Sequence, residues 1–354
     1  MQDSLFPDAE PPNPPPQGKP RKRRTAVEPA PPDPVHQALA AALPPNLRLG
    51  TSSWYFPGWD GLVWDGEYDQ ATLSKEGLRA YAQHPLLRTV SLDRAFYRPL
   101  TVSQYTAYAA QVPDDFRFVV KAPSLIADAS IRGDDGKSLS HNALFLDPDT
   151  ALREFVRPAL EGLGHKLGAL VFQLSPLPGL MLATIGQQIA KLDALLAALP
   201  DLRLAAPDAV VAVEVRNPEW LTPAFTAALK RHRASYCLGL HAKMPPIAEQ
   251  LPILRALWPS PLVCRWNLHM KHGAFGYESA RDEYAPFNRL VDPDPETRQQ
   301  LARVIGGTVA NGMPAYVTVN NKAEGSAPLS IAALAQALLD LRRSSLSGRG
   351  GRSD

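Results

Sequence analysis

The clearest fold signal in this sequence is the stretch Val210-Val211-Ala212-Val213-Glu214-Val215-Arg216-Asn217. Its β-branched residues run without polar alternation, which is typical of a strand covered on both faces, as in a parallel sheet between helices. Glu214 and Arg216 are two residues apart, so on a strand they point to the same side. The stretch predicts a buried parallel strand with a carboxylate and a guanidinium at its carboxyl end, where we expect a functional site.

Seven further apolar runs, each followed by a turn and a helical pattern, accompany this strand. They are Leu47 to Ser53, Thr89 to Asp93, Phe116 to Lys121, Gly168 to Leu174, Tyr236 to His241, Leu262 to Asn267 and Tyr316 to Asn320. The helical patterns cover about 73–83, 101–112, 149–163, 183–199, 219–233, 247–258, 295–311 and 330–343. Eight strand–helix repeats predict a single-domain α/β fold, a (β/α)₈ TIM barrel over residues 46–343.

A doubly wound open sheet is the competing architecture. It would normally offer a glycine-rich phosphate loop after its first strand, and Gly50-Thr51-Ser52-Ser53-Trp54 is not such a loop. The barrel is therefore the preferred interpretation.

Both ends of the chain differ in composition from this region. Residues 1–45 are rich in proline and carry the basic run Lys19-Pro20-Arg21-Lys22-Arg23-Arg24, which predicts a disordered tail. The composition of residues 344–354, which are rich in serine, glycine and arginine, predicts a flexible C-terminal tail. The basic run suits either a nucleic-acid contact or a merely solubilising role.

The cysteine content and the apolar runs indicate the compartment. Cys237 and Cys264 are the only cysteines, and both lie near the starts of predicted strands, so we expect buried thiols without a disulfide. Met1 to Asp8 lack the pattern of a secretory signal, and no apolar run has the length that crosses a bilayer. These features predict a cytoplasmic protein with no membrane partner.

Polar side chains cluster at the carboxyl ends of the predicted strands, where barrels place their sites. Strand parity turns one set of them inward: Lys121, Gln173, Glu214, Arg216, Arg265 and Asn320. Cations outnumber carboxylates there, which favours an anionic ligand such as a phosphate or a carboxylate. The long loops 122–146 and 268–294 are expected to form walls of this site.

Several of these residues have two interpretations. Glu214 is a candidate catalytic acid or base, or one half of a structural ion pair, and Asp93 is the candidate second carboxylate. Trp54 and Trp59 could stack on a substrate ring or pack a loop. After the last strand, a second group could bind phosphate or form hydrogen-bonded turns: Asn320, Asn321 and Lys322.

The side chains that could hold a metal are scattered. They are Asp93, Glu214, His241, His269 and His272, and no His-x-His or His-Glu-x-x-His motif connects them. We therefore expect no tightly bound metal, while a weakly bound divalent ion and the identity of any cofactor stay open.

Six ordered motifs resemble the YecE-like family, a family of TIM-barrel domains of unknown function. They are Gly50 to Trp54 with Pro57-Gly58-Trp59, Phe96-Tyr97, Phe118 to Pro123, Leu170 to Pro176, Val213 to Arg216 with Trp220, and Val319-Asn320-Asn321. The resemblance covers residues 47–340, and Asn320 to Leu329 is similar to the ending of a longer subgroup. It implies the same barrel and implies no activity.

The sequence departs from the family pattern at two strands. The usual Glu-x-Asn of the second strand is here Ser91-Leu92-Asp93, and the usual Arg-Leu-His of the seventh is Arg265-Trp266-Asn267. Roles carried over to Ser91, Asp93 and Asn267 are open for this reason.

Three functional hypotheses fit these observations. The leading one is an enzyme of hydrolase type, endonuclease IV-like or of the phosphate-ester class, acting on a phosphate-bearing substrate that includes nucleic acid. The second is a non-catalytic module that binds nucleic acid or another anion, with affinity from the basic tail. The third is a carbohydrate-active barrel. The partners expected are thus an anionic small molecule or a nucleic acid, and the oligomeric state stays open.

Overall fold

Eight parallel strands close into a barrel in the computed structural model, which describes residues 26–133 and 138–347. The barrel strands are β1 (Leu47–Thr51), β2 (Thr89–Leu92), β3 (Arg117–Lys121), β6 (Leu167–Gln173), β7 (Val210–Glu214), β8 (Ser235–Leu240), β9 (Leu262–Trp266) and β10 (Ala315–Val319). Their order around the barrel is β1-β10-β9-β8-β7-β6-β3-β2. A separate antiparallel hairpin contains β4 (Ser130–Arg132) and β5 (Ser138–His141). The predicted (β/α)₈ barrel is confirmed.

The helices surround this barrel and connect its strands. They are α1 (Pro34–Ala42), α2 (Gln70–Tyr81), α3 (Val102–Ala109), α4 (Ser124–Ala127), α5 (Pro148–Ala151), α6 (Arg157–Leu163), α7 (Gly179–Leu182), α8 (Ile185–Ala198), α9 (Pro223–Arg231), α10 (Ile247–Ala256), α11 (Tyr277–Tyr284), α12 (Pro295–Ala310) and α13 (Ala327–Ser347). A π-helical turn, Leu152–Val156, joins α5 to α6. Polar side chains cap several of the N-termini, as the Thr101–Gln104 capping box does for α3.

The remaining helical segments are short 3₁₀ turns. They cover Pro57–Trp59, Asp93–Phe96, Gly164–Lys166, Leu202–Leu204, Pro218–Trp220, Met270–His272 and Asn321–Ala323. Five of these turns follow the carboxyl ends of barrel strands, and they begin at Pro57, Asp93, Pro218, Met270 and Asn321. Among the described helices, none is long and apolar enough to cross a membrane.

The core has two layers because the barrel strands are covered on both faces. Small and β-branched side chains fill the barrel interior, which includes Cys237, and Tyr316 closes it toward the amino-terminal end. Larger side chains, among them Cys264, pack between the strands and the helices. Both thiols are fully buried and free, as predicted, and burial raises the pKa of each.

The prediction of a tail as far as residue 45 is wrong for residues 26–45. Asp33 caps α1 and Pro34 occupies its first turn, where a proline loses no hydrogen bond. Leu39 is buried, and Arg342 of α13 donates a hydrogen bond to the carbonyl oxygen of Ala42 at 3.2 Å. A short apolar stripe on α1 is thus sufficient for packing against α13. The basic run at 19–24 lies outside the described residues.

At the other end of the chain, α13 continues to Ser347, beyond the predicted helix end at 343. It also begins earlier than predicted, at Ala327 instead of Ser330. The side chain of Asn321 accepts a hydrogen bond from the Ala327 amide at 2.8 Å, so the helix start is set by a residue of the preceding turn.

Candidate functional site

A buried network of charged side chains, centred on Arg265 of β9, closes the carboxyl end of the barrel. Arg265 is only 2% exposed. Its Nη1 donates to Glu214 Oε2 at 2.8 Å and to Gln173 Oε1 at 2.9 Å, and its Nη2 donates to Asp93 Oδ2 at 2.6 Å. One guanidinium therefore joins polar groups from β6, β7 and the turn after β2, and it neutralises two carboxylates that the fold buries.

Glu214 lies beneath the cavity that opens above this network. Its side chain is 0% exposed and also forms an ion pair with Arg216 Nη2 at 2.6 Å. Burial opposes ionisation, but the positive charges of Arg216 and Arg265 outweigh burial and lower the pKa of Glu214. A carboxylate with a lowered pKa that is sealed from the cavity is a poor acid or base. The geometry thus favours the ion-pair interpretation of Glu214 over the catalytic one.

The positions that depart from the family pattern, Ser91, Asp93 and Asn267, take part in the same network. Ser91 Oγ donates to Asp93 Oδ1 at 2.6 Å, so the shorter serine supports the carboxylate that stands where the family has Asn. Asn267 Nδ2 approaches Glu214 Oε1 at 3.4 Å. Both substitutions therefore provide hydrogen-bond donors to the carboxylates that Arg265 holds.

A cavity of about 380 Å³ lies above the network at the carboxyl ends of the strands. Both predicted walls contribute to it, with Arg132 from the first long loop and Phe275 and Tyr277 from the second. The inner lining contains Asp93, Phe96, Lys121, Gln173, Arg216, His241, Arg265 and Asn267. Its size suits a small ligand.

Lys121 provides the amine of this cavity. Its side chain is 4% exposed, and Nζ lies 3.6 Å from the centroid of the Phe96 ring. Among the described residues, Nζ has no hydrogen-bond or ion-pair partner. Burial is the main cause that lowers the pKa of Lys121 to about 7, because nearby carboxylates and arginines act in opposite directions. A large share of the amine is therefore uncharged near neutral pH.

Arg216 is the cation best placed to meet an anion. Its Nη2 is engaged by Glu214 and by Gln173 Oε1 at 3.2 Å, while Nη1 has no hydrogen-bond partner among the residues that the structure describes. At the mouth, Lys243 Nζ lies 4.8 Å from the centroid of the Phe275 ring, which is 78% exposed. The mouth thus combines an exposed aromatic ring with positive charge.

His241 lines the same cavity as an uncharged imidazole. Burial, with the charges of Arg216 and Lys243, lowers the pKa of His241 to about 2. Its Nδ1 accepts the Lys243 amide at 3.1 Å, and its ring stacks on Tyr277 with centroids 5.9 Å apart. Nε2 is the nitrogen that remains for a ligand.

Among the described residues, the metal candidates form no ligand cluster at this cavity, although Asp93 and His241 line it. Asp93 and Glu214 are bound to Arg265, and His269 Nδ1 accepts the Lys271 amide at 3.2 Å. On the outer wall, His272 comes together with Glu283 and Asp292, with ligand atoms within 4.8 Å of one another. The Lys271 ammonium forms ion pairs with both of those carboxylates, so a cationic group already occupies the position.

The turn after β10, Asn320–Ser330, is enclosed instead of open to a ligand. Asn321 Oδ1 accepts from Trp59 Nε1 at 3.2 Å and from the Ala327 amide at 2.8 Å, and Asn320 Oδ1 accepts from the Lys322 amide at 3.0 Å. Asn321 is 2% exposed, and Ser326 and Ser330 are 0% exposed. These burials and hydrogen bonds within the chain favour the turn interpretation over a phosphate site.

The structure also does not bring Trp54 and Trp59 to the cavity. Trp54 is 4% exposed and donates from Nε1 to the Leu73 carbonyl at 3.1 Å, and Trp59 is 0% exposed. Both rings pack the first loop over the barrel. The indole N–H of Trp54 is bonded to α2 and that of Trp59 to Asn321 in the turn after β10, so neither is left for a ligand. Lys322 lies nearer, with Nζ 4.7 Å from the centroid of Tyr277, a cavity residue.

Sequence reasoning missed the aromatic part of the site. Phe96 was noticed only as a part of a family motif, and Phe275 and Tyr277 lie in a long loop without a distinctive pattern. The sequence feature that pointed toward these aromatic residues is the length of loops 122–146 and 268–294, which predicted that the two loops form walls of the site. Which of their residues face inward depends on how the loops fold back onto the strands.

Comparison with known proteins identifies relatives of the same barrel. Residues 48–349 match the family described as "Protein of unknown function DUF72". The crystal structure of a DUF72 family protein from Enterococcus faecalis V583 superposes with a TM-score of 0.52 at 21% identity, covering 83% of this chain and 95% of that one. A DUF72 family protein from Thermotoga maritima MSB8 gives a TM-score of 0.50 at 17% identity, covering 83% and 99%. No curated protein matches the sequence.

Proposed function

Because the chain belongs to the DUF72 family of proteins of unknown function, the same family as YecE-like, we propose a function from the site itself. The protein is an enzyme that converts a small phosphate- or carboxylate-bearing substrate in the cavity above Arg265. The observation that carries this proposal is that Lys121 and Arg216 both reach the cavity with nitrogen atoms for which the described residues provide no partner. Such buried groups are ready to receive a ligand.

The network below the cavity supports an anionic ligand. Arg265 and Arg216 neutralise Glu214, and Arg265 also neutralises Asp93, so the carboxylates do not repel an anion strongly. Arg216 Nη1 is left to donate to a phosphate or carboxylate oxygen. Two further cations line the cavity, Lys243 beside Phe275 and Arg132, which forms an ion pair with Asp128 at 2.8 Å.

A hydrolase also needs a group that takes a proton from water. Glu214 does not reach the cavity, so the hydrolase form of the proposal assigns this role to Lys121. An amine with a pKa of about 7 matches the operating pH that a general base requires. Phosphate-ester hydrolysis by this route would use Arg216 as the anion contact and Lys121 as the base.

The two alternative functions fit less well. A glycosidase needs a carboxylic acid whose pKa is raised, whereas Glu214 and Asp93 share the Arg265 guanidinium. A nucleic acid is larger than a cavity of about 380 Å³, so only one terminal group or one base would enter it. Neither alternative uses the free amine of Lys121.

A ligand screen by thermal shift and calorimetry tests the proposal. Its arms are inorganic phosphate, sugar phosphates, nucleotides, small keto acids, neutral sugars and oligonucleotides. We expect stabilisation by small anions and a loss of affinity of about tenfold, or about 1.4 kcal/mol, in Arg216→Gln. The matched control is Arg203→Gln, which removes a half-exposed arginine paired with Asp201 in the turn before β7. Stabilisation by neutral sugars alone, or equal effects of both variants, would contradict the proposal.

A further inference from the structure

We propose that Lys121 acts as a nucleophile, which attacks a carbonyl carbon of the substrate and holds it as an imine. The inference rests on the proposed function, because it takes the anion-binding cavity as given and names the substrate class, and in it Lys121 acts as a nucleophile in place of the base of the hydrolase form. That class is a small aldehyde or ketone that carries a carboxylate or a phosphate group close to the carbonyl carbon.

Two buried lysines of this chain show why Lys121 is not a structural residue. Lys166 is 9% exposed, and its Nζ donates to the carbonyl oxygens of Ala109 at 3.0 Å and Val112 at 2.7 Å. Lys121 is more deeply buried, at 4%, yet its Nζ faces the Phe96 ring and the cavity without a hydrogen-bond acceptor among the described residues. The described residues thus give Lys121 an aromatic face at its Nζ but no acceptor, and a buried amine of this kind has hydrogen-bonding capacity left for a ligand.

The charges around Lys121 keep its amine reactive. Arg216 at the end of β7 and Arg265 in β9 disfavour the ammonium form, while Asp93 after β2 and Glu214 in β7 favour it. Burial decides the balance and brings the pKa to about 7. Since only the neutral amine has a lone pair to donate, a desolvated lysine of this kind is a competent nucleophile near neutral pH.

The reaction balances with no additional reagent. The Nζ lone pair forms a bond to the carbonyl carbon, and the electron pair of the C=O π bond moves to the oxygen. The two protons of the amine leave with that oxygen as water when the C–O bond breaks, so a C=N bond replaces C=O. Arg216 would hold the neighbouring carboxylate or phosphate and so place the carbonyl carbon beside Lys121.

Reductive trapping tests this step directly. The full-length protein is incubated at pH 7 with sodium cyanoborohydride and one of four probes: glyoxylate, pyruvate, glycolaldehyde phosphate or uncharged glycolaldehyde. Peptide mass spectrometry then locates the secondary amine that hydride addition to the imine leaves. We expect Lys121 to be modified about tenfold or more faster than exposed lysines, because at pH 7 only on the order of one in a thousand ordinary lysines is neutral.

Matched variants separate the amine from the anion contact. Lys121→Met and Lys121→Arg should both abolish the modification at this position, and Lys166→Met should leave it unchanged. Arg216→Gln should slow trapping of glyoxylate and glycolaldehyde phosphate about tenfold more than that of uncharged glycolaldehyde, whose own slowing reports the change in protonation of Lys121 when the Arg216 charge is lost. A larger effect on one of the two charged probes identifies the anionic group as carboxylate or phosphate.

Other results overturn the inference in distinguishable ways. Modification spread over lysines according to their exposure, with Lys121 no faster than the rest, would show that the amine is not a nucleophile. Keto acids that bind through Arg216 without being trapped at Lys121 would leave the proposed function standing and remove only the imine. Absence of both binding and trapping would remove the two together.

Discussion

The barrel has two polar regions at the same end, the cavity above Arg265 and the turn after β10. Both are rich in polar side chains, but only those of the cavity face open space. In the cavity, Lys121 and Arg216 each present a nitrogen atom to open space for which the described residues provide no hydrogen-bond acceptor. In the turn, Asn321 is enclosed and its carboxamide oxygen joins Trp59 to the start of α13. Polar residues at the strand ends thus remain accessible where the fold leaves a cavity, and form hydrogen bonds within the chain where it does not.

The largest expected effect comes from removing the guanidinium beneath the cavity. Arg265→Met leaves Asp93 and Glu214 buried without their shared cation, which should lower the free energy of unfolding by about 3–5 kcal/mol. Urea unfolding at neutral pH measures it. The control combines Arg265→Met with Asp93→Asn and Glu214→Gln, which should recover much of the loss. An unfolding free energy unchanged in the single variant would contradict the role of the network.

The next effect is the pH dependence that Lys121 produces. Its pKa is about 7 in the folded protein and about 10.4 in an unfolded chain, so between these values the unfolded state binds more protons. The free energy of unfolding should therefore rise with pH across this window, by about 2–4 kcal/mol relative to Lys121→Met. Urea unfolding at several pH values from 7 to 10 measures the difference, with Lys166→Met as the control. A difference that stays constant would exclude a lowered pKa.

A substitution in the turn after β10 should lower the stability of the fold and leave its affinity for anions unchanged. Asn321→Ala removes the acceptor of two buried hydrogen bonds, from Trp59 and from the Ala327 amide, and should destabilise the fold by about 1–3 kcal/mol. Affinity of the folded variant for anions should not change, since the turn does not reach the cavity. Calorimetry at a temperature well below the unfolding midpoint checks this. A selective loss of affinity would show that the turn binds ligand after all.

The smallest effect tests the first loop. Trp54→Phe keeps most of the ring volume but removes the hydrogen bond to the Leu73 carbonyl, which should lower stability by about 0.5–1.5 kcal/mol. Trapping at Lys121 and anion affinity should match the unchanged protein. If either falls markedly while the unfolding midpoint does not, Trp54 belongs to the site and the distinction between the two regions fails.

Much of the fold and part of the site follow from local patterns. The apolar runs and their helical connections predicted all eight barrel strands, and strand parity placed Lys121, Gln173, Arg216 and Arg265 at one end, where they line one cavity. These predictions hold because side-chain alternation along a strand is a local property. The helix α1 was missed because its proline-rich surroundings resemble a tail.

The partners within the site were not predictable in the same way. Asp93 and Arg265 are 172 residues apart in sequence, and they meet only because the barrel closes between β1 and β10. The sealing of Glu214 beneath the cavity likewise depends on β9, which is separated from β7 by β8 and brings Arg265 and Asn267 to it. A single strand carries no information about which cation a carboxylate will meet.

The sequence by itself determined the barrel, its family and an excess of cations at the carboxyl ends of the strands, because periodicity and composition are written along the chain. Only the tertiary structure decided which of these polar groups are paired or enclosed by the protein itself. Closure of the sheet pairs Glu214 and Asp93 with arginines and encloses Asn321, while the wall loops leave Lys121 and Arg216 facing a cavity. Burial and pairing, which set both pKa and access, are properties of the assembled barrel.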